Sequence, residues 1–264
     1  MPAELRATAL GRIGYLEGWR LQEAVAARLA AGGPERLLLL EHDPVYTLGR
    51  RGTLDHLTAS AAELRAAGAA AYRVDRGGDI TYHGPGQLVG YPIVSLGDAP
   101  DVVAYVRALE AGLRATLADF GIGSRAIDGK TGVWVDLPGQ VGRPGQVGGP
   151  GQVGGPGQVG KIAAIGVRVS RGITRHGFAL NVNVDLAAFD RMIPCGFVHE
   201  VASFRRLGVT ATIAEVTRVC GARIGEHLGR ELVWDVAVAE AVDDEIPANS
   251  PVRTAQDLLA AVAA

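Results

Sequence analysis

Cysteine is scarce in this chain of 264 residues, with Cys195 and Cys220 the only two. They cannot build a disulfide framework, and neither belongs to a C-x-x-C pair, so a structural zinc knuckle is excluded and a reducing compartment is expected. An excess of charge of one sign is missing too. Twenty-six Lys and Arg against 28 Asp and Glu leave a formal charge of −2, without the overall basic field that non-specific nucleic-acid binding needs. Long hydrophobic runs are absent: no stretch approaches the roughly 20 apolar residues that cross a bilayer. The opening "MPAELRATALGRIGYLEGWR" is broken by charge before a signal-peptide core can form. A cytoplasmic protein with no nucleic-acid or membrane partner is expected.

What the chain does have is 48% apolar residues against 20% charged, enough to bury a substantial core in one α/β domain. "YLEGWRLQEAVAARLAAGG" sets Leu16, Trp19, Val25 and Leu29 along one helical face and stops at Gly32-Gly33-Pro34, predicting a helix over 15–31. "RLLLLEH" reads as a buried strand. "SAAELRAAG" predicts a helix whose Ser60 and Glu63 have capping-box spacing, and a third helix spans about 99–119. "TGVWVD", "KIAAIGVRVS" and "HGFALNVNVD" read as strands. An irregular stretch from Asp185 to Arg206 precedes a helix begun by Thr212 with Glu215 in capping-box spacing, and "ELVWD" is its partner strand. Strands come partly in runs, which predicts an α/β fold of the α+β type, a mixed β-sheet flanked by helices.

Glycine and proline concentrate in one place. "PGQVGRPGQVGGPGQVGGPGQVG", residues 138–160, repeats a hexapeptide with one Val per copy and too much Gly and Pro for a ladder or helix. It reads as an insertion beside the function, between two strands. The domain is expected to occupy 1–238. Residues 239–264 are expected to be an acidic linker followed by a short terminal helix with Pro251 at its first position.

Two segments can carry chemistry. "RVDRGGDITYHGPGQLVGYPI", residues 73–93, offers Arg76, Asp79, Tyr82, His83 and Gln87 among glycines that let backbone approach a ligand, and is either a ligand wall or a turn-rich hairpin. It is neither a Walker loop nor a dinucleotide fingerprint. The other is "RMIPCGFVHEVASF", where Cys195 sits between Pro194 and Gly196, a place that presents a thiol. Cys220 lies among Val216, Val219 and Ile224 and reads as a buried, inert one. A nucleophilic Cys195 needs a cationic or basic neighbour, and His83, His176, His199 and Lys161 are available. Spacing does not choose among them, and no ligand-pair spacing supports a metal site.

The motifs "EHDPVYTLGRRG", "RGGDITYHGPGQLVGYP", "TGVWV", "GKIAAIGVRVSRGITRHGFALNVNVDL" and "PCGF", in that order, resemble the octanoyltransferases of lipoate biosynthesis, also called lipoate-protein ligase B. The resemblance runs from about residue 8 to 235. It implies the catalytic-domain fold of the biotin/lipoate protein ligases, without a cofactor or metal. It implies transfer of an octanoyl group from octanoyl-acyl carrier protein to a lysine on lipoyl domains of 2-oxoacid dehydrogenase complexes and on the glycine cleavage H protein. A monomer is expected, although the sequence itself does not reveal the oligomeric state. The family's catalytic cysteine corresponds to Cys195 and its lysine to Lys161. Its acyl-binding wall corresponds to Arg76, Gly77, Gly78, Asp79, Ile80, Thr81, Tyr82 and His83, then Ala164, Ile165 and Gly166, then Gly177, Phe178 and Ala179. The chain departs from the family in the hexapeptide block, which stands where relatives have a short turn, and in the tail after 238.

The chemistry this implies needs no ATP, because donor and acyl-enzyme are both thioesters and the amide product is more stable. At an effective dielectric of ~20, an ammonium about 4 Å from a thiolate contributes roughly 4 kcal/mol. Lys161 is thus expected to activate Cys195 and then, neutral after acylation, to deprotonate the incoming lysine. Small side chains at Ala163, Ala164 and Ala179 leave room for an acyl chain. Arg50, Arg51, Arg171, Arg175, Arg205 and Arg206 are candidates to receive acidic carrier proteins at the rim. Rival readings are an ATP-dependent ligase, an octanoyl amidotransferase, and a non-catalytic carrier-binding relative.

Overall fold

The computed structural model describes residues 3–137, 158–193 and 200–234. Four helices and twelve strands occur among them: α1 (Tyr15–Ala30), α2 (Ala61–Ala66), α3 (Val102–Asp119) and α4 (Ile213–His227); β1 (Ala3–Ile13), β2 (Glu35–His42), β3 (Val45–Leu48), β4 (Ala70–Arg73), β5 (Ile80–His83), β6 (Gln87–Ile93), β7 (Arg125–Ile127), β8 (Lys130–Asp136), β9 (Val159–Ser170), β10 (Ile173–Asn181), β11 (Glu200–Val201) and β12 (Arg230–Trp234). The main sheet runs β12-β1-β2-β6-β10-β9-β8-β7, with β11 added alongside β9. It is mixed: β1 is parallel to both β12 and β2, and β2, β6, β10, β9, β8 and β7 alternate antiparallel. A smaller sheet, β4-β3-β5, stands beside it.

The run "LLLL" in β2 explains the layering. Leu37 and Leu39 point into a core shared with Leu109, Leu113 and Leu117 of α3 and Val216, Cys220 and Ile224 of α4, while Leu38 and Leu40 point into a second core with Leu21 and Val25 of α1. A strand buried on both faces reads as continuous apolar sequence. Ser60 and Thr212 cap α2 and α4 in complete capping boxes with Glu63 and Glu215, as their spacing predicts. The α1 helix buries Tyr15, Gly18, Trp19, Leu21, Gln22 and Val25, and leaves Leu16 and Leu29 half-buried.

Four expectations need correction. Strand β1, which joins β12 to the sheet, was not anticipated, because its mixed polar and apolar residues lack a clean period. Residues 73–93 are not a hairpin: β5 pairs with β3 in the small sheet and β6 with β2 and β10 in the large one. The turn between them carries the chain from sheet to sheet, and Gly86, at φ 84, has its missing Cβ position 2.5 Å from Val184 N, where a side chain would collide. The third helix begins at Val102 rather than 99, where Asp101 accepts a hydrogen bond from Ala104 N. The end of the hexapeptide block is strand, since Val159 and Gly160 open β9 opposite Asp136 and Val135. Residues 138–157 and the expected tail elements at 239–264 lie outside the described residues.

One irregularity matters for the site. The β8–β9 register passes from Val133↔Ala163 to Trp134↔Lys161, so two residues of β9 oppose one step of β8. Ile162 and Ala163 both enter the helix-side core as a result. This bulge turns Lys161 onto the same face as Ala164, whereas strict alternation over three residues would set them on opposite faces.

Candidate functional site

A cavity of about 770 Å³ opens between the main sheet and the small one. That volume falls within the ~300–1,000 Å³ of small-ligand sites. Arg76, Gly77, Gly78, Asp79, Ile80, Thr81 and His83 line it from the inter-sheet segment, Lys161, Ala164, Ile165 and Gly166 from β9, and Gly177, Phe178 and Ala179 from β10. Tyr82 is the exception: its ring packs in the small-sheet core against Tyr46 and Phe189 and does not border the cavity. Alternation along β5 decides this, turning Tyr82 away from Thr81. Phe178 borders the cavity, but its ring belongs to the helix-side core, lying over Gly90, where an added Cβ would be 2.1 Å from Phe178 Cζ. Cys195 and His199 lie outside the described residues.

The 76–79 wall is held by backbone. Gly49 N, Arg50 N and Arg51 N donate to the carbonyls of Asp79, Arg76 and Gly78, and Gly77 N donates to Val167 O at 2.9 Å. Buried Arg76 sends Nη2 to Thr47 O at 2.6 Å and to Thr47 Oγ1 at 2.9 Å, and Nη1 to Gly77 O at 3.0 Å. Asp79 accepts from Ile80 N at 2.7 Å, and its other oxygen lies 2.6 Å from His56 Nδ1. Arg76 is thus spent on the frame of the wall.

The cavity's other end is polar and aromatic, bordered by Tyr15, Tyr91, His83 and His176. Burial, reinforced by nearby His42, holds the His83 imidazole down to about 3. Its Nδ1–H donates to Gln87 Oε1 at 2.7 Å, Gln87 Nε2 donates to Asn181 Oδ1 at 2.9 Å, and Asn181 Nδ2 donates to Ala202 O at 3.0 Å. Ala202 N in turn donates to Lys161 O at 2.9 Å, so a buried polar chain runs from His83 to the backbone of Lys161. Burial also lowers His42 to about 4. Neutral His42 donates from Nδ1 to Ile13 O and accepts from Tyr91 Oη at 2.7 Å. His176, likewise lowered by burial, contacts Asp75 Oδ1 at 2.7 Å. Asp75 is raised by burial but lowered overall by the His176 hydrogen bond and the charges of His176, Arg175 and Arg168. Arg175, expected at the rim, is mostly buried here, with a side chain 16% exposed and paired with Glu23 and Asp75.

Lys161 stands where these parts meet. Its Nζ lies 4.6 Å from the centroid of the Trp134 ring. Met192, next to the start of the undescribed segment 194–199, lines the cavity, and so does Val201 just after it. Val201 is the register partner of Lys161, so both described flanks of the Cys195 segment reach the cavity that holds this lysine. Cys220, in contrast, is fully buried on α4, its thiol pushed up to about 12 by burial.

Residues 14–225 match the Lipoyl protein ligase A/B catalytic domain family. An octanoyltransferase of Solibacter usitatus is 47% identical over 223 residues, covering 84% of this chain and 90% of the relative. One from Mycolicibacterium gilvum is 43% identical over 250 residues, covering 94% and 90%. The chain belongs to the octanoyltransferase family. Members of that family are acyltransferases, and this chain is one of these enzymes. The fold also matches a bi-partite lipoate protein ligase from Thermoplasma acidophilum, with a TM-score of 0.70 at 18% identity over 91% of this chain and 90% of that one.

Reading the sequence as an octanoyltransferase family member still missed Tyr15, Tyr91, Trp134 and Asn181 as cavity residues. Tyr15 and Trp134 stand in segments read only as a helix and a strand, with no role given to either ring. Asn181 ends β10 as a buried amide, and its burial obliges it to find polar partners.

Proposed function

We propose that the chain transfers an octanoyl group from octanoyl-acyl carrier protein to a lysine of lipoyl domains, in the cytoplasm, through a thioester on Cys195. Lipoyl domains of 2-oxoacid dehydrogenase complexes and of the glycine cleavage H protein are the acceptors. The observation that carries this reading is the turn of Lys161 by the β9 bulge onto the face of the cavity that both described flanks of the Cys195 segment also line. His83 and His176 are poor alternatives as activating cations, because burial holds the His83 imidazole neutral and His176 is engaged by Asp75 at 2.7 Å.

In the first half-reaction the Cys195 thiolate, stabilised by the Lys161 ammonium, attacks the donor thioester. A new C–S bond forms, the carrier's C–S bond breaks, and the departing thiolate takes the proton of Lys161. In the second, the neutral acceptor amine attacks the acyl-enzyme. Its C–N bond forms as the Cys195 C–S bond breaks, and neutral Lys161 takes the proton the amine sheds, restoring the ion pair. The apolar stretch of wall at Val89, Ala164 and Ala179 suits an alkyl chain.

Intact mass spectrometry after mixing with octanoyl-acyl carrier protein, without ATP, tests the reading. A hydroxylamine-labile octanoyl adduct on the native chain, absent from Cys195→Ser and formed at least a hundredfold more slowly by Lys161→Met, is the expected result, within the ~10²–10⁴-fold typical of a lost proton-transfer group. No adduct on the folded native chain would refute it and favour an ATP-dependent ligase.

A further inference from the structure

We propose that Trp134 is a positioning residue that holds the Lys161 ammonium in place for the first half-reaction and releases the neutral amine for the second. This rests on the reading of Lys161 given above. Trp134 and Lys161 are direct cross-strand partners at the bulge, and the 4.6 Å from Nζ to the ring centroid is well inside the ~6 Å limit for a cation–π contact. The ring is buried at 2% exposure, and its indole N–H donates to Lys130 O at 3.4 Å, which fixes its edge and leaves a face turned to the lysine. Lys130 Nζ lies 5.8 Å from the same centroid, so the ring is the meeting point of two ammonium groups at the cavity.

The stem of Lys161 is guided as well as its head. Gly132, two residues before Trp134 and on the same face, would carry a Cβ 3.4 Å from Lys161 Cε and 3.5 Å from Cδ, so the stem lies across the bare glycine. Gly132 is itself held at φ +120, with its N–H donating at 3.0 Å to Glu110 Oε1 of α3, a buried carboxylate. A lysine carries its charge on a flexible four-carbon stem. A glycine bed under the stem and an aromatic face under the head narrow its conformations to those over the cavity.

The aromatic face attracts a cation and has no comparable attraction for an amine. Once the departing thiolate has taken the proton of Lys161, the ring therefore loses its hold, and the amine is free to reach the acceptor. The contact acts selectively on acyl-enzyme formation.

The test separates the two half-reactions in rapid-quench single turnovers. Trp134→Leu is expected to slow acyl-enzyme formation about tenfold, with donor KM nearly unchanged and octanoyl transfer from preformed acyl-enzyme reduced less than about threefold. Trp134→Phe should recover part of the loss. Because Trp134 is buried, site-specific mono-, di- and trifluorotryptophan at 134 keeps the shape while draining the ring face of negative charge. Acylation should fall stepwise along that series at constant melting temperature. A flat series, or equal loss in both half-reactions, overturns the proposal. Lys161→Met in the same assay tells the readings apart: a normal rate there removes the lysine's role and this proposal with it, whereas a slow Lys161→Met beside a flat fluorination series removes only Trp134.

Discussion

Acid should unfold this protein through its buried histidines before it protonates most of its carboxylates. His83 and His42 titrate near 3 and 4 in the folded chain against an ordinary 6.5, burial being the main cause of both. A folded value below the unfolded one means that the unfolded chain binds more protons. Their contribution to stability is therefore complete above about pH 6.5 and is lost as pH falls toward 4. At pH 5, one and a half pH units below the unfolded value, each neutral histidine has surrendered ~2 kcal/mol, and the two together about 4 kcal/mol. His176, lowered by burial in the same direction, adds to the loss. Against a typical domain stability of ~5–15 kcal/mol this is a large fraction. Urea unfolding followed by circular dichroism between pH 7 and 5 measures it. The slope of stability with pH around 5.5 should reach about 2.7 kcal/mol per pH unit from these two groups, one proton each. His83→Gln should be less stable at pH 7, because it disturbs the hydrogen bond to Gln87, yet have a slope shallower by ~1.4 kcal/mol per pH unit. A variant slope equal to that of the native chain would refute the assignment of a buried neutral imidazole at 83.

Two substitutions examine the frame of the site. Gly132→Ala places a Cβ 2.7 Å from Ala163 O at φ +120, a conformation L residues rarely adopt, and should cost about 2–4 kcal/mol by thermal melting while slowing acyl-enzyme formation. Asn181→Ala leaves Gln87 Nε2 without one acceptor and Ala202 O without a donor in a buried setting. It should cost about 2–4 kcal/mol in urea unfolding and lower the acylation rate, because Ala202 holds the backbone of Lys161; an unchanged stability would mean that water replaces the amide.

Local signals were legible where chemistry is local. Ser60 with Glu63 and Thr212 with Glu215 announced two helix starts, because a cap is satisfied within four residues. "LLLL" announced a buried strand because both faces of β2 are covered. Strand β1 was not legible: its neighbours β2 and β12 come from the two ends of the described chain, and pairing, not periodicity, makes it a strand. The 73–93 segment was legible as a place of function but not as a topology, since nothing local tells that β5 and β6 belong to different sheets. Among the wall residues, Tyr82 is the one that packs into a core without also bordering the cavity.

The sequence by itself determined which residue types were available to the chemistry: a cysteine in an irregular Pro-Gly context, a lysine opening a strand almost free of charge, and small side chains along the neighbouring strands. It also determined the four helices and five of the twelve strands among the described residues, because caps and apolar periods act over a few residues. Only the tertiary structure decided which way Lys161 faces. A one-residue bulge against β8 reverses the face of a strand residue, and that reversal depends on a partner strand separated from it in sequence by the hexapeptide block. The tertiary structure likewise decided that the histidine of the "ITYH" segment is neutral, because charge on an imidazole is set by burial and by partners brought from other strands.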